Sequence, residues 1–498
     1  MKRLFIKSVL VSGAAAMLMM FFVSCEANKQ VEGKSIKGVV VEFERPALKI
    51  LTIQEIMEKW PRDTGGEGGG DMAAGPGGRG GGVESIPAIY VKNGEYISKE
   101  SRRSAVTKGE IKDNYASGVN ISAEEGNIGG IYVEGVGPEY TIADTEINLS
   151  GDGMGLAGKS TGAAADNYGT LVLRNVNVTT SGKSRGATSA TNYATLKVYD
   201  STIVAHDAPF EPEYTSTAQK RALEIDGNSR THVTMSNGYS YFYNSTIIAD
   251  GWGALSTDAA SEAVYLEANN CKIITTKSGY GAYADILCHD VFNNCEFDTA
   301  CMAIIMAGQS AAEFRDTKAN CGTYFLLSHC VTGSHTEVST LKVDGGEITC
   351  KSPVAIIKSH NVVLTFDDVK IKTESGVLIK SIVNEDPNAT PVEGNTVYGI
   401  HATFKDMDAA GDIIHEDPER TMAVYLEGAT LRGAVKDAYI TLDRQSRWIA
   451  TGDSSVTIMG DVDISQIDAP SGVTINAVAA ESGTHTLAGG GTLILKAS

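Results

Sequence analysis

A short pattern recurs eleven times between residues 140 and 431, and it constrains the fold more than any other feature of the chain. Each copy contains an Asn, Asp or Gly, which we call the anchor. An apolar residue lies two positions before the anchor, a polar residue two positions after it, and an apolar residue three positions after it. Six of the ten steps between anchors are 22–26 residues long, so the chain has a period with insertions at longer steps. The anchors are Asp144, Asn175, Asp200, Asn244, Asn270, Asn294, Asp316, Gly345, Asp368, Asp406 and Gly428.

The residues around the anchors have the polarity pattern of half-buried β-strands. Both apolar columns are apolar in every copy, from Ile142 and Ile147 in the first to Leu426 and Leu431 in the last. Apolar and polar residues at fixed offsets indicate strands with one buried face. Asn, Asp and Gly tolerate the positive φ of a sharp bend. A period in the low twenties with one bent strand per copy predicts a β-solenoid, whose coils stack about 4.8 Å apart.

This pattern resembles the right-handed parallel β-helix of the pectin-lyase-like superfamily, whose members carry asparagine ladders at one bend. The resemblance covers residues 129–465 and implies an all-β fold of about twelve coils. We expect residues 83–128 to form an N-terminal capping segment, because a solenoid must cover its open edge. The superfamily contains lyases, hydrolases, phage tailspikes and adhesins, so the resemblance predicts the fold and leaves the activity open.

The end of the chain carries a second resemblance. Trp448, the run from Thr451 to Ser454, and the run from Leu487 to Leu493 are similar to the C-terminal core of autotransporter passengers. This resemblance implies that residues 466–498 form stable capping coils.

The N-terminus has the features of a bacterial lipoprotein signal peptide. A basic start at Lys2 and Arg3 precedes an apolar run that ends just before Ser24 and Cys25. We therefore expect residues 1–24 to be removed and Cys25 to be lipidated. An ordinary secretory signal or a retained anchor remains an alternative. Because the residue after Cys25 is not Asp, the resemblance to lipoproteins favours the outer membrane, on its periplasmic or cell-surface side.

The segments after the signal peptide are predicted to connect it to the solenoid. Residues 25–62 are expected to form a tether with a short strand near residues 39–43 and a helix over residues 48–60, which Pro61 ends. Residues 63–82 are rich in glycine and are predicted to form a disordered linker, since such a composition cannot bury a core.

Charge and cysteine content exclude some functions. The formal net charge is −19, which argues against a nucleic-acid partner. The seven cysteines other than Cys25 lie between Cys271 and Cys350, without the Cys/His spacing of a zinc site. Cys271 and Cys295 each follow an anchor Asn, so they should stack in adjacent coils either as a disulfide or as packed thiols.

One polar column alternates in charge and predicts a structural role. Opposite charges on neighbouring strands stabilise a sheet, whereas a slipped register would bring like charges together. We therefore interpret the column as a guard on strand register. Its members are Lys272, Glu296, Lys318, Glu347, Lys370 and Asp408.

The column immediately before the anchors supplies a candidate binding site. Arg174, Tyr199 and Tyr243 should be stacked neighbours there, with Tyr239 and Tyr241 nearby. Aromatic rings beside a basic residue could stack on sugars. Ordinary cross-strand aromatic packing is the alternative interpretation.

A second hypothesis is catalytic. A polysaccharide lyase needs a base beside a cation that stabilises the developing charge, and His289, Arg315, His329 and His360 are the candidates. Calcium would be required only for such a lyase. A glycoside hydrolase needs two opposed carboxylates, and the polygalacturonase motif set is absent from the sequence.

From the sequence we therefore expect a monomeric, non-catalytic, adhesin-like lipoprotein that binds surface or extracellular glycans without a cofactor or metal. An enzyme acting on an acidic polysaccharide, either a lyase or a hydrolase, is the main alternative. A passive structural protein of the cell surface is the third.

Overall fold

The structure is a computed structural model that describes residues 35–41, 84–209, 223–258, 263–330, 337–385 and 399–498. Its strands stack in parallel with a rise of one coil per repeat, which makes the molecule a β-solenoid. Each complete coil contributes strands to three sheets. The predicted helix over residues 48–60 and the glycine-rich linker lie outside the described residues.

Sheet 1 contains the strands that lead into the anchors. Its strands are β5 (Tyr115–Ala123), β7 (Tyr140–Ser150), β9 (Thr170–Ser181), β11 (Thr195–Tyr199), β14 (Tyr239–Tyr243), β17 (Val264–Asn269), β20 (Cys288–Asn293), β23 (Ala311–Arg315), β26 (Val338–Asp344), β29 (Asn361–Asp367), β32 (Ile400–Lys405), β35 (Met422–Glu427), β37 (Val435–Leu442), β39 (Ser454–Ile458), β42 (Thr474–Ala479) and β44 (Thr492–Ala497).

Sheet 2 follows the anchors. The first three strands of sheet 1 bend at the anchor position and continue into it. Its further strands are β12 (Thr202–His206), β15 (Thr246–Ala249), β18 (Lys272–Thr275), β21 (Glu296–Thr299), β24 (Lys318–Cys321), β27 (Glu347–Cys350) and β30 (Lys370–Thr373). A separate four-stranded sheet comes later in the chain, made of β33 (Asp408–Ala410), β36 (Thr430–Arg432), β38 (Arg447–Ile449) and β41 (Ile467–Asp468).

Sheet 3 closes each coil before the chain returns to sheet 1. Its strands are β2 (Ile86–Lys92), β6 (Ile128–Glu134), β8 (Ala163–Asp166), β10 (Thr188–Ala190), β13 (Arg230–Thr234), β16 (Gly253–Thr257), β19 (Tyr280–Ala284), β22 (Met302–Ala307), β25 (Leu326–His329), β28 (Ala355–Lys358), β31 (Val377–Ile382) and β34 (Asp412–Glu416), followed by the start of β37.

The remaining strands pair antiparallel at the two ends of the solenoid. They are β1 (Ser35–Lys37) on β40 (Asp461–Asp463), β3 (Glu95–Tyr96) on β2, β4 (Val106–Ile111) on β5, and β43 (Gly483–Thr486) on β44. The described 3₁₀ helices are Ser98–Glu100, Arg103–Ala105 and Ile464–Gln466. None of the helices in the described part of the chain is long and apolar enough to cross a membrane.

The predicted anchors form one edge of the solenoid. All eleven have a positive φ, between 48° and 69°. Their amide side chains bond from coil to coil: Asn175 Nδ2 donates to Asp144 Oδ1 at 2.7 Å, and Asn294 Nδ2 donates to Asn270 Oδ1 at 2.8 Å. The asparagine ladder expected from the resemblance is therefore present at this bend.

The apolar columns fill the interior as predicted. The residues two positions before the anchors, from Ile142 to Leu426, are all buried. The residues three positions after the anchors are buried too, except Ile371, which is half-buried. Ile371 lies on β30, the last strand of sheet 2 before the sheet breaks, where the described strands pair with β30 on one side only.

The seven described cysteines are free thiols. Cys271 and Cys295 occupy the position after the anchor, where Ser201 and Ser245 lie in earlier coils. Each of these four side chains donates to the carbonyl oxygen two residues before it, as the Cys271 thiol does to Asn269 O at 3.3 Å. The packed thiols, rather than the disulfide, are therefore the arrangement observed.

The charged column has the predicted register. Lys272, Glu296, Lys318, Glu347 and Lys370 are successive strand partners. Lys272 Nζ lies 3.6 Å from Glu296 Oε2, and both side chains are exposed. Asp408 belongs to the four-stranded sheet after the break, so it does not continue the column by direct pairing.

Residues 223–229, which belong to the long step between the anchors Asp200 and Asn244, lie across the outer face of sheet 3. Ile225 is buried there against outward-facing apolar residues that include Ile305, Leu327 and Ile356. Glu224 forms an ion pair with Lys358 and accepts a hydrogen bond from the Tyr324 hydroxyl at 3.1 Å. This segment covers a face of sheet 3 that would otherwise expose a row of aliphatic side chains.

Candidate ligand-binding face

The outer face of sheet 1 carries the residues that sequence analysis selected for binding. Because side chains alternate along a strand, the residue before each anchor points away from the core. The register aligns these residues from coil to coil, and we call them the outer column. Its members from β9 to β23 are Arg174, Tyr199, Tyr243, Asn269, Asn293 and Arg315.

Arg174, Tyr199 and Tyr243 form one continuous stack. The Arg174 guanidinium carbon lies 4.2 Å from the centroid of the Tyr199 ring. The Tyr199 and Tyr243 rings are 4.9 Å apart with an interplanar angle of 8°. Tyr199 is therefore covered on one face by a guanidinium and on the other by a ring. The stack offers ring edges, hydroxyl groups and the outer side of Arg174 to a ligand, and not the open ring faces that a simple sugar platform would provide.

The local environment keeps the Tyr243 hydroxyl protonated. Burial raises the pKa of Tyr243, and the neighbouring Glu267 carboxylate raises it further. A neutral phenol both donates and accepts a hydrogen bond. The half-buried Tyr243 can therefore bind a sugar hydroxyl in either sense.

Amides continue the outer column beyond the tyrosines. Asn293 Nδ2 donates to Asn269 Oδ1 at 2.9 Å, and Asn269 Nδ2 donates to Glu267 Oε1 at 2.9 Å. Arg315 Nη1 then donates to Asn293 Oδ1 at 3.2 Å. These bonds fix the orientation of the amides, so the outer column is a preorganised row of polar groups across six coils.

Further aromatic residues flank the outer column on the same sheet. The Tyr241 and Tyr265 ring centroids are 5.9 Å apart, and Tyr265 meets the His289 ring edge-on at 5.4 Å. The Tyr265 hydroxyl donates to Glu267 Oε2 at 2.9 Å. Tyr239 and Tyr265 are buried in a small apolar cluster, so they support the face, whereas Tyr241 is half-buried at its surface.

His289 and Arg315, two of the four catalytic candidates, meet through Glu313. His289 Nε2 lies 3.1 Å from Glu313 Oε1, and Arg315 Nη2 lies 2.5 Å from Glu313 Oε2. The hydrogen bond from His289 and the contacts with Arg315 lower the pKa of Glu313 to about 2. Glu313 is therefore an ionised group that holds the His289 ring and the Arg315 guanidinium on the outer face of sheet 1.

His329 and His360 do not join this group. The His360 ring is buried between Ser328 Oγ, 2.7 Å from its Nδ1, and the Gly308 carbonyl, 3.0 Å from its Nε2. Burial lowers the pKa of His360 to about 4 and that of His329 to about 3. His329 ends a strand of sheet 3 and is also buried. Neither residue is presented to solvent beside His289.

The residues that connect the two parts of this face were not predicted from the sequence. Glu267, Asn269, Asn293 and Glu313 were not selected, although the column rule that selected Tyr199 also leads to Asn269 and Asn293. Applying the same rule to every coil would have found the two amides. Glu267 and Glu313 lie in the next outward-facing column, three positions before the anchor, so they could be found only by examining that column as well.

The described residues suggest no ion site. Within them, no group of three or more His, Cys, Asp or Glu side chains is placed to hold a metal ion. Cys25, the proposed lipidation site, lies outside the described residues.

Comparison with known proteins adds no family to this description. No protein-family model matches the chain, and no curated protein is similar to it. The class is therefore defined by architecture: an all-β protein built on a parallel β-solenoid with an aromatic and charged outer face.

Proposed function

We propose that this chain is a cell-envelope lipoprotein of pectin-lyase-like architecture whose solenoid binds surface or extracellular glycans without catalysis. The observation that carries the proposal is the Arg174–Tyr199–Tyr243 stack and its continuation into the amides of the outer column. Buried or oriented polar groups beside aromatic rings are the usual components of a site that recognises hydroxyl-rich ligands.

The repeat of the solenoid suits a polymeric ligand. Successive outer-column residues are about 4.8 Å apart, because each belongs to the next strand of one sheet. A polysaccharide is itself periodic, so an extended chain along the solenoid axis could meet a new donor or acceptor at each coil. Arg174 and Arg315 mark the two ends of this row, and the residues between them are uncharged.

A glycan array tests the proposal with a matched control inside the same protein. Tyr168 and Tyr193 form a second stacked pair, 5.1 Å apart and 5° from parallel, in the turns that lead into sheet 1. We expect the Tyr199→Ala/Tyr243→Ala variant to bind the selected glycan about tenfold more weakly, given the usual contribution of aromatic contacts. The Tyr168→Ala/Tyr193→Ala variant should bind like the wild type. Equal losses in both variants, or no binding to any glycan, would refute the proposal.

Lipidation is tested separately. In cells grown with an alkyne-labelled fatty acid, the wild-type protein should become labelled, whereas the Cys25→Ser variant should not. Labelling that survives in Cys25→Ser would contradict a lipid on Cys25.

A specific observation supports the enzymatic alternative. His289 and Arg315, held by Glu313, could act as base and carboxylate-binding cation in a lyase. Glu267 and Glu313 lie two strands apart on one outward column, so two carboxyl groups of the kind that a glycoside hydrolase needs are on the same face. Incubation with uronic-acid polymers should yield an unsaturated, ultraviolet-absorbing product if the chain is a lyase. New reducing ends without that product would indicate a hydrolase, and neither is expected for a binding protein.

A further inference from the structure

A short N-terminal segment is paired with the far end of the solenoid. Strand β1 (Ser35–Lys37) runs antiparallel to β40 (Asp461–Asp463), and the buried Ile36 is opposite Val462. The backbone bonds extend past the strand: Val39 N donates to Ile458 O at 2.8 Å, and Ala480 N donates to Lys37 O at 2.9 Å. We call residues 35–41 the clasp.

The clasp fits its position closely. A Cβ atom added to Gly38 would lie 1.9 Å from Gly460 O and 2.8 Å from Ile458 O, so only glycine fits there. Val41 packs on a cluster that includes Tyr425 and Met459. The clasp therefore has both the backbone bonds and the side-chain packing of an integral strand.

The clasp lies far from the place where the chain enters the solenoid. Strand β2, which starts at Ile86, is the first strand of sheet 3, whereas β40 directly follows β39 near the opposite end. Thirteen successive strand pairings separate β2 from β39, which corresponds to about 60 Å along the axis. Val41 and Glu84, the described residues that flank this part of the chain, therefore lie near opposite ends of the solenoid.

This topology sets the orientation of a lipid-anchored chain. Cys25 precedes Ser35 by ten residues, which can span at most about 35 Å. The outer-column tyrosines lie nine to ten pairings from β39, or roughly 45 Å along the axis. An anchor at Cys25 would therefore be tied to the C-terminal end of the solenoid, away from the tyrosine stack.

We propose that the clasp makes the C-terminal coils the membrane-facing end of the protein and holds the outer column away from the lipid surface. This proposal rests on the proposed lipidation of Cys25. Without the clasp, Ile86 at the opposite end would begin the first described strand to join the anchor to the solenoid, so the orientation would be lost or reversed.

Energy transfer to a lipid-bound acceptor tests the orientation. A fluorophore is attached through a non-canonical amino acid at Ser471, near the C-terminal end, or at Asp113, near the first coil; both residues are exposed. The lipidated full chain is reconstituted in phosphatidylethanolamine/phosphatidylglycerol vesicles containing acceptor-labelled lipid. We expect clearly higher transfer from Ser471 than from Asp113. Equal transfer, or higher transfer from Asp113, would overturn the proposal.

Clasp variants give the decisive comparison. Gly38→Val should abolish or reverse the difference between the two positions, whereas Val40→Thr, at a residue that is 89 % exposed, should preserve it. Ile36→Asp provides a second disrupting variant if Gly38→Val reduces folding, which thermal unfolding would show. An unchanged difference in a folded Gly38→Val or Ile36→Asp protein would overturn the role of the clasp.

Attaching the chain to vesicles without a lipid on Cys25 tests the clasp independently of lipidation. The chain starting at residue 26 with a hexahistidine tag is bound to vesicles containing a nickel-chelating lipid. The clasp predicts the same order of transfer, Ser471 above Asp113. If this order is observed but Cys25 carries no lipid in cells, the lipoprotein proposal fails and the orienting action of the clasp stands. If the order is absent here, the clasp proposal fails whatever the state of Cys25.

Discussion

The guanidinium of Arg174 lies 4.2 Å from the ring centroid of Tyr199, and Arg230 lies at nearly the same distance, 4.4 Å, from the ring of Trp252. The two contacts share geometry but differ in surroundings. Arg174 is exposed, whereas Arg230 is mostly buried and pairs with Asp258 at 2.5 Å. Replacing each arginine by alanine should therefore lower the free energy of unfolding by very different amounts at the two positions.

We predict that Arg174→Ala lowers the free energy of unfolding by about 0.5–1 kcal/mol, the usual contribution of an exposed cation–π contact. Arg230→Ala should lower it by about 3–5 kcal/mol, because it leaves the Asp258 carboxylate uncompensated in a buried site. Urea denaturation of both variants measures the difference. If both variants lose a similar free energy of unfolding, the Arg230–Asp258 ion pair does not make the larger contribution expected here.

The anchor ladder makes a prediction about substitution at Asn270. Asn270 has φ of 53°, donates to Asn244 and accepts from Asn294. Asn270→Gly should cost about 1–2 kcal/mol for the lost hydrogen bonds. Asn270→Ala should cost about 1 kcal/mol more, because alanine is strained at positive φ. Thermal or urea unfolding gives both values. If Asn270→Ala is as stable as Asn270→Gly, residue 270 does not adopt the positive φ described for it.

A buried carboxyl group predicts an unusual pH dependence. Asp290 points into the core, where Thr257 Oγ1 donates to its Oδ1 at 2.9 Å, and burial raises its pKa well above the ordinary value of 3.8. In the range between the unfolded and folded pKa values, the native state binds more protons, so stability falls as pH rises above about 4. Asp290→Asn removes this titration, so it should be more stable than the wild type at pH 7, with the advantage shrinking towards pH 4.

Urea denaturation measures this effect for the wild type and Asp290→Asn from pH 4 to pH 7, and for Glu313→Gln from pH 2 to pH 7. Glu313→Gln is the control of opposite sign. The folded pKa of Glu313 is about 2, below its ordinary value of 4.5, so its stabilising contribution is present above that value and is lost as pH falls towards 2. Parallel pH profiles for wild type and Asp290→Asn would contradict a neutral Asp290.

The charged column predicts a salt-dependent effect. Glu296→Lys places a lysine between its strand partners Lys272 and Lys318. Because these side chains are exposed, we expect a loss of at most about 1 kcal/mol at low salt. The loss should disappear in 1 M salt, where the screening length falls to about 3 Å. Melting at both salt concentrations measures it, and a loss that is independent of salt would point to packing instead of charge.

Much of the fold could be predicted because the anchor pattern repeats locally. All eleven anchors have the predicted bend, and the same pattern fits Gly118, with φ of 60°, which precedes them as a further bend. The prediction of one bent strand per repeat holds only for the first coils. Later coils also contain a separate sheet 3 strand, such as Gly253–Thr257 before β17. Small residues in that strand weaken its apolar signal.

Features that depend on distant contacts could not be predicted. The pairing of residues 35–37 with residues 461–463 has no local sequence signal, because the partners are more than 400 residues apart. His360 was selected as a catalytic candidate, but the period does not reveal which way a turn residue points, and its ring is buried. The outer column followed from register alone, so Arg174, Tyr199 and Tyr243 were grouped from sequence. The face-to-face packing of these three side chains could not be predicted from the sequence.

Hydroxyl-radical footprinting with the glycan selected by the array tests the binding account most directly. Oxidation of each tyrosine is measured by mass spectrometry with and without the glycan. If the outer column binds the glycan, Tyr199 and Tyr243 are protected while Tyr168 and Tyr193 are oxidised as before. Protection of Tyr168 and Tyr193 with no change at Tyr199 and Tyr243 would contradict it.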